Sequence, residues 1–378
     1  MKNNQKIPEG WGVKKIRNAV YTFSGGTPSA GNLAYYKNGT IPFIRSGEIY
    51  QDFTELFITE KGLQESSAKM VNKGDLLFAL YGANSGEIAI SQIEGAINQA
   101  ILCIRPKEDN VYYLKNSLIL LKDRILQKYL QGGQGNLSAE IVKSLKLLFP
   151  PLPEQEKIAG ILGTWDEAIE KLSGLIEQKK LLKKGLMQRL LTGKTRLNGF
   201  TQPWKDIELS DLLNYEQPSK YLVGEILPYD KNKIPVLTAN KAFILGSTDD
   251  SSGIYTQGDC IIFDDFTTDI KYVNFPFKVK SSAIKILTPK TNTNLKFVYE
   301  QMKCIKYPLA GHKRYYLSEY QYITISIPDI SEQQAIADVL STADEEIDLL
   351  NKKLEALKEQ KKGLMQQLLT GQIRVKVN

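Results

Sequence analysis

Two stretches of the chain carry apolar residues at alternating intervals of three and four positions. One stretch begins near residue 154 and the other near residue 332. This spacing of about 3.5 residues is typical of a helix that packs lengthwise on another helix. We expect two helices of about 37 residues, each about 55 Å long at the usual helical rise. The positions predicted to form the apolar seam are Ile158, Leu162, Trp165, Ile169, Leu172, Ile176, Leu186, Leu190, Ile336, Leu340, Ile347, Leu350, Leu354, Leu357, Leu364 and Leu368.

The two stretches are copies of each other. Residues 154–196 align with residues 332–374 without a gap, and about half of the positions are identical. A repeat of this length indicates duplicated architecture. Lysines interrupt the seam, at Lys361 in the second copy and at Lys179 and Lys183 in the first, where Leu175 and Leu182 are expected to continue it. Because neither helix is stable with its apolar stripe exposed, we predict that the two pack together as an antiparallel coiled coil.

The segments around the helices each have the size of one ordinary domain. We predict a first domain at 1–150, a long helix at 151–197, a second domain at 198–328 and a second long helix at 329–378. Faint matches relate the two domains, including Trp11 with Trp204, Ile41-Pro42-Phe43 with Ile234-Pro235-Val236, Gly74-Asp75 with Gly258-Asp259, Ala100 to Pro106 with Ala283 to Pro289, and Leu137-Ser138 with Leu317-Ser318.

The predicted fold class is therefore α+β. It has two mixed α/β domains, separated by two long antiparallel helices that form a coiled coil, with an internal pseudo-two-fold symmetry. Each domain is expected to contain one further helix, near residues 112–130 and 294–303, beside a curved sheet.

Composition narrows the class of protein. The chain has no run of eighteen apolar residues and no signal peptide, so we expect a cytoplasmic protein with no membrane partner. Three cysteines without a CxxC pair, and a single histidine, argue against a zinc site, and no metal is expected. The net charge of +7 favours a polyanionic partner without identifying it.

In this chain a variable domain is followed by a Glu-Gln pair and a long helix that ends in Gly-Leu-Met-Gln-x-Leu-Leu-Thr-Gly, and the same arrangement then occurs a second time. The order of these segments resembles that of the specificity subunit of type I DNA restriction-modification systems. The resemblance covers the whole chain. It implies two target recognition domains that each read one half of a split, asymmetric site in double-stranded DNA. It further implies that the helices hold the domains apart and bind two methyltransferase subunits, to which restriction and translocation subunits can be added.

Motifs for catalysis are weak. Asn274-Phe275-Pro276-Phe277 has Phe where an amino-methyltransferase motif needs its first proline, and no phosphate-binding GxxxxGK[ST] motif is present. Asp259, Asp269 and Lys271 fit the loose spacing of a metal nuclease, although a structural acidic loop explains them better. We expect a non-catalytic subunit with no cofactor of its own, so that S-adenosylmethionine, ATP and Mg²⁺ would belong to partner subunits.

Two other functions fit the same pattern. One is a stand-alone DNA-binding or scaffold protein in which the coil only joins the domains. The other is a fused single-chain restriction enzyme.

Polar loops after the predicted strands are the candidates for DNA contact. Gln and Asn can pair with adenine, Arg with guanine, and acidic side chains can accept from cytosine amines, whereas Lys usually meets phosphate. The predicted DNA-binding residues are Arg45, Ser46, Tyr81, Asn84, Ser85, Gln131, Gln134 and Asn136 in the first domain, and Asn240, Lys241, Asp264, Asp265, His312, Lys313, Arg314 and Tyr315 in the second.

Overall fold

A computed structural model describes residues 7–130, 137–240, 242–309 and 313–377. The chain forms two compact units. Unit 1 comprises Met1–Ser173 and Lys352–Asn378, and unit 2 comprises Gly174–Asn351. Each unit thus contains one of the predicted domains together with parts of both long helices.

Unit 1 begins with nine strands and four helices. In chain order they are β1 (Gly12–Lys15), α1 (Ile16–Ala19), β2 (Val20–Ser24), β3 (Ile41–Ile44), β4 (Phe57–Ile58), α2 (Glu60–Gln64), β5 (Lys69–Val71), β6 (Leu76–Ala79), β7 (Ile88–Ile90), β8 (Gly95–Ile97), β9 (Ile101–Pro106), α3 (Val111–Leu130), α4 (Ala139–Ser144), then a tenth strand β10 (Lys146–Phe149) and the first long helix α5 (Leu152–Leu190), which continues into unit 2.

Unit 2 repeats this order with fewer elements. They are β11 (Lys205–Glu208), α6 (Leu209–Leu212), β12 (Leu213–Glu216), β13 (Ile234–Leu237), β14 (Ile244–Thr248), β15 (Cys260–Asp264), β16 (Ile270–Val273), β17 (Lys278–Val279), β18 (Ile284–Pro289), α7 (Leu295–Cys304), β19 (Thr324–Ile327) and the second long helix α8 (Ile330–Leu369), which continues into unit 1. The helices predicted near 112–130 and 294–303 are confirmed as α3 and α7.

The sheets of the two units correspond strand by strand. A four-stranded sheet has the order β2-β9-β6-β7 in unit 1 and β12-β18-β15-β16 in unit 2. A second sheet, β4-β3-β8-β5 or β14-β13-β17, contains one parallel pair, β3 with β8 or β13 with β17. A two-stranded ribbon, β1-β10 or β11-β19, completes each set. The prediction of a repeated mixed α/β framework is confirmed.

The central strands are buried on both faces, which explains their unbroken apolar sequences. In β6, Leu76 and Phe78 pack in the core that includes α3, whereas Leu77 and Ala79 pack in the core on the opposite side of the sheet, with residues of the second sheet. In β15, Ile261 and Phe263 face α7 in the same alternating way. A period of two therefore places the apolar residues of these strands alternately in two layers.

Parts of the long helices pack antiparallel within each unit. In unit 1, Ile158 and Leu162 of α5 lie in one cluster with Met365 and Leu368 of α8. In unit 2, Leu190 of α5 lies in one cluster with Ile336 and Leu340 of α8. The helices have 39 and 40 residues, close to the predicted length.

All sixteen seam positions named above are buried or half-buried. The expectation that Leu175 and Leu182 continue the seam is wrong, since both are exposed. Instead Lys183 is buried and Lys179 half-buried at the seam, where each forms an ion pair with an acidic residue of α8, Asp344 and Glu346. The seam keeps its period by including charged pairs. Over the described part of the chain, no helix is both long and apolar enough to cross a membrane.

Candidate nucleic-acid interface

The β15–β16 loop of unit 2 is built around Asp264. One oxygen of its carboxylate, Oδ1, accepts hydrogen bonds from the backbone N–H groups of Phe266 (2.9 Å) and Thr267 (3.0 Å). The Thr267 hydroxyl in turn donates to Oδ1 of Asn240 at 3.2 Å, which ties this loop to the turn after β13. Asp264 therefore shapes the loop from inside it.

Asp265 joins the same loop to a third segment. Its backbone carbonyl accepts from the N–H of Tyr315 (3.0 Å), and its carboxylate accepts from the N–H of Tyr316 (2.7 Å). Lys285 Nζ lies 3.3 Å from that carboxylate and balances its charge in the core. The structure thus brings together three of the predicted segments, near residues 240, 264–268 and 313–316, on one part of unit 2.

Only some of the predicted residues face outward from this cluster. Asn240, Lys313 and Arg314 are exposed, and Lys313 pairs with Glu319. Asp264 and Asp265 are buried, and Tyr315 has an exposed fraction of 0%. The prediction that Asp265 and Tyr315 contact bases directly does not agree with this placement, because both side chains are buried inside the unit. In this structure Asp265 and Tyr315 lie beneath the surface of the loop cluster and help to hold its loops together.

In unit 1, Arg45 is held by two carboxylates. Its guanidinium donates to Glu48 from Nε (3.1 Å) and Nη2 (2.6 Å), and Nη2 also donates to Glu55 at 2.7 Å. Burial raises the pKa of Glu48, but the hydrogen bonds from Arg45, the Glu55 N–H and Thr54 outweigh it and bring that pKa down to about 2. Arg45 therefore reaches the surface with its charge largely balanced.

The other predicted segments of unit 1 meet close by. A Cβ added at Gly47 would lie 3.2 Å from Nδ2 of Asn84, so the turn after β3 touches the β6–β7 loop. The Ser85 hydroxyl donates to the Leu80 carbonyl at 2.9 Å, and the N–H of Leu137 donates to that same carbonyl at 2.9 Å. Ser46, Tyr81, Asn84 and Ser85 are half-buried.

The two loop clusters share one hydrogen-bonding scheme. Leu80 donates to Ala100 and accepts from Leu137, whereas Asp265 donates to Ala283 and accepts from Tyr315. Leu80 thus corresponds to Asp265, and Leu137 corresponds to Tyr315. The alignment of Leu137-Ser138 with Leu317-Ser318 in the sequence is therefore wrong by two residues. The segments also differ in structure, because Ser138 caps α4, whereas the described residues of unit 2 contain no matching α-helix between α7 and β19.

Five predicted DNA-binding residues lie outside the residues that the structure describes. They are Gln131, Gln134 and Asn136 of the first domain, and Lys241 and His312 of the second. Their assignments remain predictions from the sequence.

The loosely nuclease-like residues are not brought together. Asp259 precedes β15 and accepts from the hydroxyl of Tyr272, whereas Asp269 follows the loop at the other end of the same hairpin. Lys271 pairs with Ile262 in the middle of the hairpin. Within the described ranges, no group of three or more His, Cys, Asp or Glu residues is placed to hold a metal ion.

Each long helix begins with the same cluster of one glutamate, one arginine and one tryptophan. Glu154 accepts from Arg374 at 2.7 and 2.8 Å and from the indole of Trp11 at 3.0 Å. Glu332 accepts from Arg196 at 2.6 and 2.5 Å and from the indole of Trp204 at 3.2 Å. Each buried carboxylate is thus fixed by a bidentate arginine from the end of the other repeat copy. The sequence repeat contains every member except the tryptophans, but it does not show that the contacts are exchanged.

The buried lysines of the seam also form a matched pair. Lys183 lies 2.5 Å from Asp344 and 3.7 Å from Glu300. Lys361 lies 2.5 Å from Asp166. The Lys183–Asp344 and Lys361–Asp166 pairs occupy equivalent positions of the repeat, so each unit has one such lysine–aspartate pair across the seam.

The seam residues were predicted to bind both the other helix and partner proteins. The packing of the two helices covers the seam residues. The large apolar residues that the long helices leave exposed lie at other positions. They are Leu152, Leu175, Leu181 and Leu182 of α5, and Ile330 and Leu349 of α8. Leu152 and Ile330 each stand two residues before a copy of the repeat, and both are exposed at the first residue of their helix.

Comparison with known proteins gives a consistent result. A family model described as the type I restriction modification DNA specificity domain matches residues 8–179 and again 201–359. A protein of Methanocaldococcus jannaschii, named as the specificity subunit of the type I restriction enzyme MjaX, is 27% identical over 413 aligned residues, which cover 98% of this chain and 95% of the relative.

Two further similarities support this result. The EcoR124I/EcoR124II specificity subunit of Escherichia coli is 44% identical over 138 residues, or 35% of this chain and 34% of the relative. The crystal structure of a type I restriction-modification S subunit from M. genitalium superposes with a TM-score of 0.63 and 18% identity, covering 100% of this chain and 99% of that one. This structural likeness shows a shared fold.

Proposed function

The chain belongs to the family of type I restriction-modification DNA specificity proteins, and on that premise we propose that unit 1 and unit 2 each read one half of a bipartite, asymmetric DNA site. The family match occurs twice, once over most of each predicted domain and its following helix. A specificity subunit with two readers in one chain can give each reader its own base preference, because the two surfaces change independently.

The observation that carries this proposal is the repeated convergence of polar loops. In unit 2, Asp265 and Thr267 tie three loops into one surface with Asn240 and Arg314 exposed on it. In unit 1, Leu80 and Gly47 mark the corresponding meeting point of three segments. Loops held at fixed positions on a rigid framework lose little conformational entropy on binding, which suits base recognition.

We propose that the chain is not itself catalytic. The residues compared with a nuclease lie at separate places along the β15–β16 hairpin, and the sequence lacks the motifs for methyl transfer and ATP hydrolysis. Methyltransferase and restriction subunits would supply S-adenosylmethionine, ATP and Mg²⁺ chemistry. The exposed apolar residues Leu152 and Ile330, each the first residue of a long helix, are suited to contact two copies of one partner.

Base reading by unit 2 is tested by Arg314→Ala. If Arg314 contacts a base, the variant should lose about 1 to 3 kcal/mol of binding to the second half-site and relax its preference at one position. Lys220→Ala, an exposed cation elsewhere in unit 2, is the matched control. The measurement is binding to a panel of duplexes based on the site found by methylome sequencing. Equal binding of Arg314→Ala and wild type across the panel would remove Arg314 from the interface.

The non-catalytic assignment has its own test. The purified chain is incubated with labelled S-adenosylmethionine and DNA, and separately with Mg²⁺ and DNA. We expect methylation only after a type I methyltransferase subunit is added, and no cleavage by the chain alone. Methyl transfer or cleavage without a partner would favour the single-chain restriction enzyme. Failure to bind a methyltransferase subunit in a pull-down would favour a stand-alone DNA-binding protein.

A further inference from the structure

Phe266 projects from the β15–β16 loop without belonging to the apolar cores of unit 2. This residue is 42% exposed, although Asp264 and Asp265 immediately before it are buried. A single exposed aromatic is common on protein surfaces. What distinguishes Phe266 is the rigidity of its support and the position that it occupies.

The loop that carries Phe266 is fixed at several points. The N–H of Phe266 itself donates to the carboxylate of Asp264 at 2.9 Å, and the N–H of Thr268 donates to the Asp264 carbonyl at 2.9 Å. Thr268 adopts a positive φ of 59°, which closes the turn. The hydroxyl of Thr267 is bonded to Asn240. The ring is therefore presented by a preorganised turn at the meeting point of the three candidate DNA-contact loops.

Unit 1 has an aromatic residue at the same position. The correspondence of Leu80 with Asp265, shown by their matching hydrogen bonds, makes Tyr81 the counterpart of Phe266. The surrounding loops share no sequence, since Gly82-Ala83-Asn84 stands where unit 2 has Thr267-Thr268-Asp269. Tyr81 is half-buried and packs partly against the core that includes α3, whereas Phe266 is exposed. An aromatic present at the same place in two otherwise divergent loops indicates a contact that does not depend on the base sequence. Stacking has this property, because every base offers a π face.

We propose that Phe266 is an aromatic wedge that stacks against bases at one step of the half-site read by unit 2, with Tyr81 at the equivalent place in unit 1. This inference rests on the proposed DNA-reading function and adds a sequence-tolerant contact to it. Apolar side chains inserted at a base step unstack it partly and kink the duplex, which allows a protein surface to approach more closely. Asn240 and Arg314, exposed on neighbouring loops, would then read the adjacent base edges.

The acidic residues next to Phe266 do not oppose this contact. Asp264 is satisfied by backbone N–H groups of its own loop, and Asp265 is paired with Lys285 inside the unit. Both carboxylates are buried, so neither is directed at a phosphate from the loop surface. The exposed residues of this loop are Phe266, Thr267 and Asp269, and the acidic Asp269 stands at the far end of the loop, directly before β16.

The experiment uses the full chain and duplexes that carry its methylome-derived site, with 2-aminopurine placed at each adenine position in turn. With wild-type protein, we expect fluorescence to rise at one step of the second half-site, because an unstacked 2-aminopurine is less quenched. Phe266→Ala should abolish this rise and weaken binding about 5-fold or more. Phe266→Trp should preserve both signals. Tyr229→Ala, which removes another exposed aromatic of unit 2, is the matched control.

The variants should fold normally, since Phe266 fills no core, and an unchanged thermal midpoint checks this. If Phe266→Ala leaves both fluorescence and affinity unchanged while Arg314→Ala still relaxes the second half-site, the wedge is refuted and the reading function stands. A binding loss confined to duplexes with thymine at one position would also overturn it, since that pattern indicates contact with a methyl group. If no variant of unit 2 alters the second half-site, the proposed function itself fails.

Discussion

The equivalent lysines of the seam should differ in their effect on stability. Lys183 and Lys361 occupy the same position of the repeat, with side chains 8% and 12% exposed. Each pairs with an aspartate that is itself more than a third exposed, Asp344 or Asp166. Their surroundings differ, because Lys183 also lies 3.7 Å from Glu300, whose side chain is completely buried.

Unit 1 has no carboxylate at the place of Glu300. The caps of α3 and α7 define the equivalence, since the N–H of Asn110 donates to Gln155 and that of Asn294 donates to Gln333, both at 2.9 Å. Six residues after each cap stand Asn116 and Glu300. Asn116 is neutral and donates to the carbonyl of Tyr112 at 2.8 Å. A lysine removed from unit 1 therefore leaves no buried charge behind.

We expect Lys183→Met to destabilise unit 2 by about 3 kcal/mol, the low end for breaking a buried ion pair, because Lys303 at 3.0 Å and Lys296 at 3.9 Å still lie close to Glu300. For Lys361→Met the loss should be about 1 kcal/mol or less, since Asp166 can be solvated. In a unit of this size the larger loss lowers the melting temperature by about 6 to 12 °C.

Hydrogen exchange followed by mass spectrometry measures each unit separately. Peptides from β15 report the opening of unit 2 and peptides from β6 report that of unit 1, which avoids assuming one two-state transition for the whole chain. In a Glu300→Gln background, the cost of Lys183→Met should fall to that of Lys361→Met. Equal losses for the two single lysine variants, or an unchanged loss in the Glu300→Gln background, would refute this account of the buried carboxylate.

Two further predictions concern the acidic residues around Arg45. Glu48 has a pKa of about 2 in the folded protein, below its ordinary value. The contribution of its ionised form to stability is therefore complete above that ordinary value and is lost as the pH falls towards 2. Arg45→Ala should lower the melting temperature of unit 1 more at pH 6 than at pH 3, and an equal decrease at both pH values would contradict this prediction. Glu55→Gln should remove one of the two ion pairs of Arg45. The slope of the logarithm of the DNA-binding constant against the logarithm of the salt concentration should then become steeper by about one released counterion. Glu60→Gln is the control, and an unchanged slope for Glu55→Gln would contradict the prediction.

The sequence was sufficient for the framework because the framework depends on period and repetition. Alternating spacings of three and four predicted α5 and α8, and the apolar runs of β6 and β15 marked buried strands. The lysines of the seam could not be interpreted from spacing alone. Whether Lys183 faces solvent or the other helix depends on acidic partners that lie more than a hundred residues away, Glu300 and Asp344.

The candidate site was harder to predict for a related reason. Residue type indicated that Asp264, Asp265 and Tyr315 have hydrogen-bonding ability, but not whether the fold already uses that ability. The structure shows that it does, since Asp265 holds the N–H of Tyr316 and Tyr315 is buried. Phe266 was missed because an apolar residue in a loop carries no polar signal. Its correspondence with Tyr81 becomes visible only when the loops are aligned through backbone hydrogen bonds.

The distribution of buried charge limits how the reading surfaces can diverge. Glu48 and Asp265 lie inside the loop clusters and bind backbone N–H groups, so replacing either would leave buried donors unsatisfied and destabilise the fold. Arg314 and Asn240 are exposed, and their replacement removes little packing. Changes of base preference that preserve folding should therefore accumulate at the exposed loop residues. The buried carboxylates keep those residues at fixed positions, so that a change of side chain alters the bases read without moving the loop.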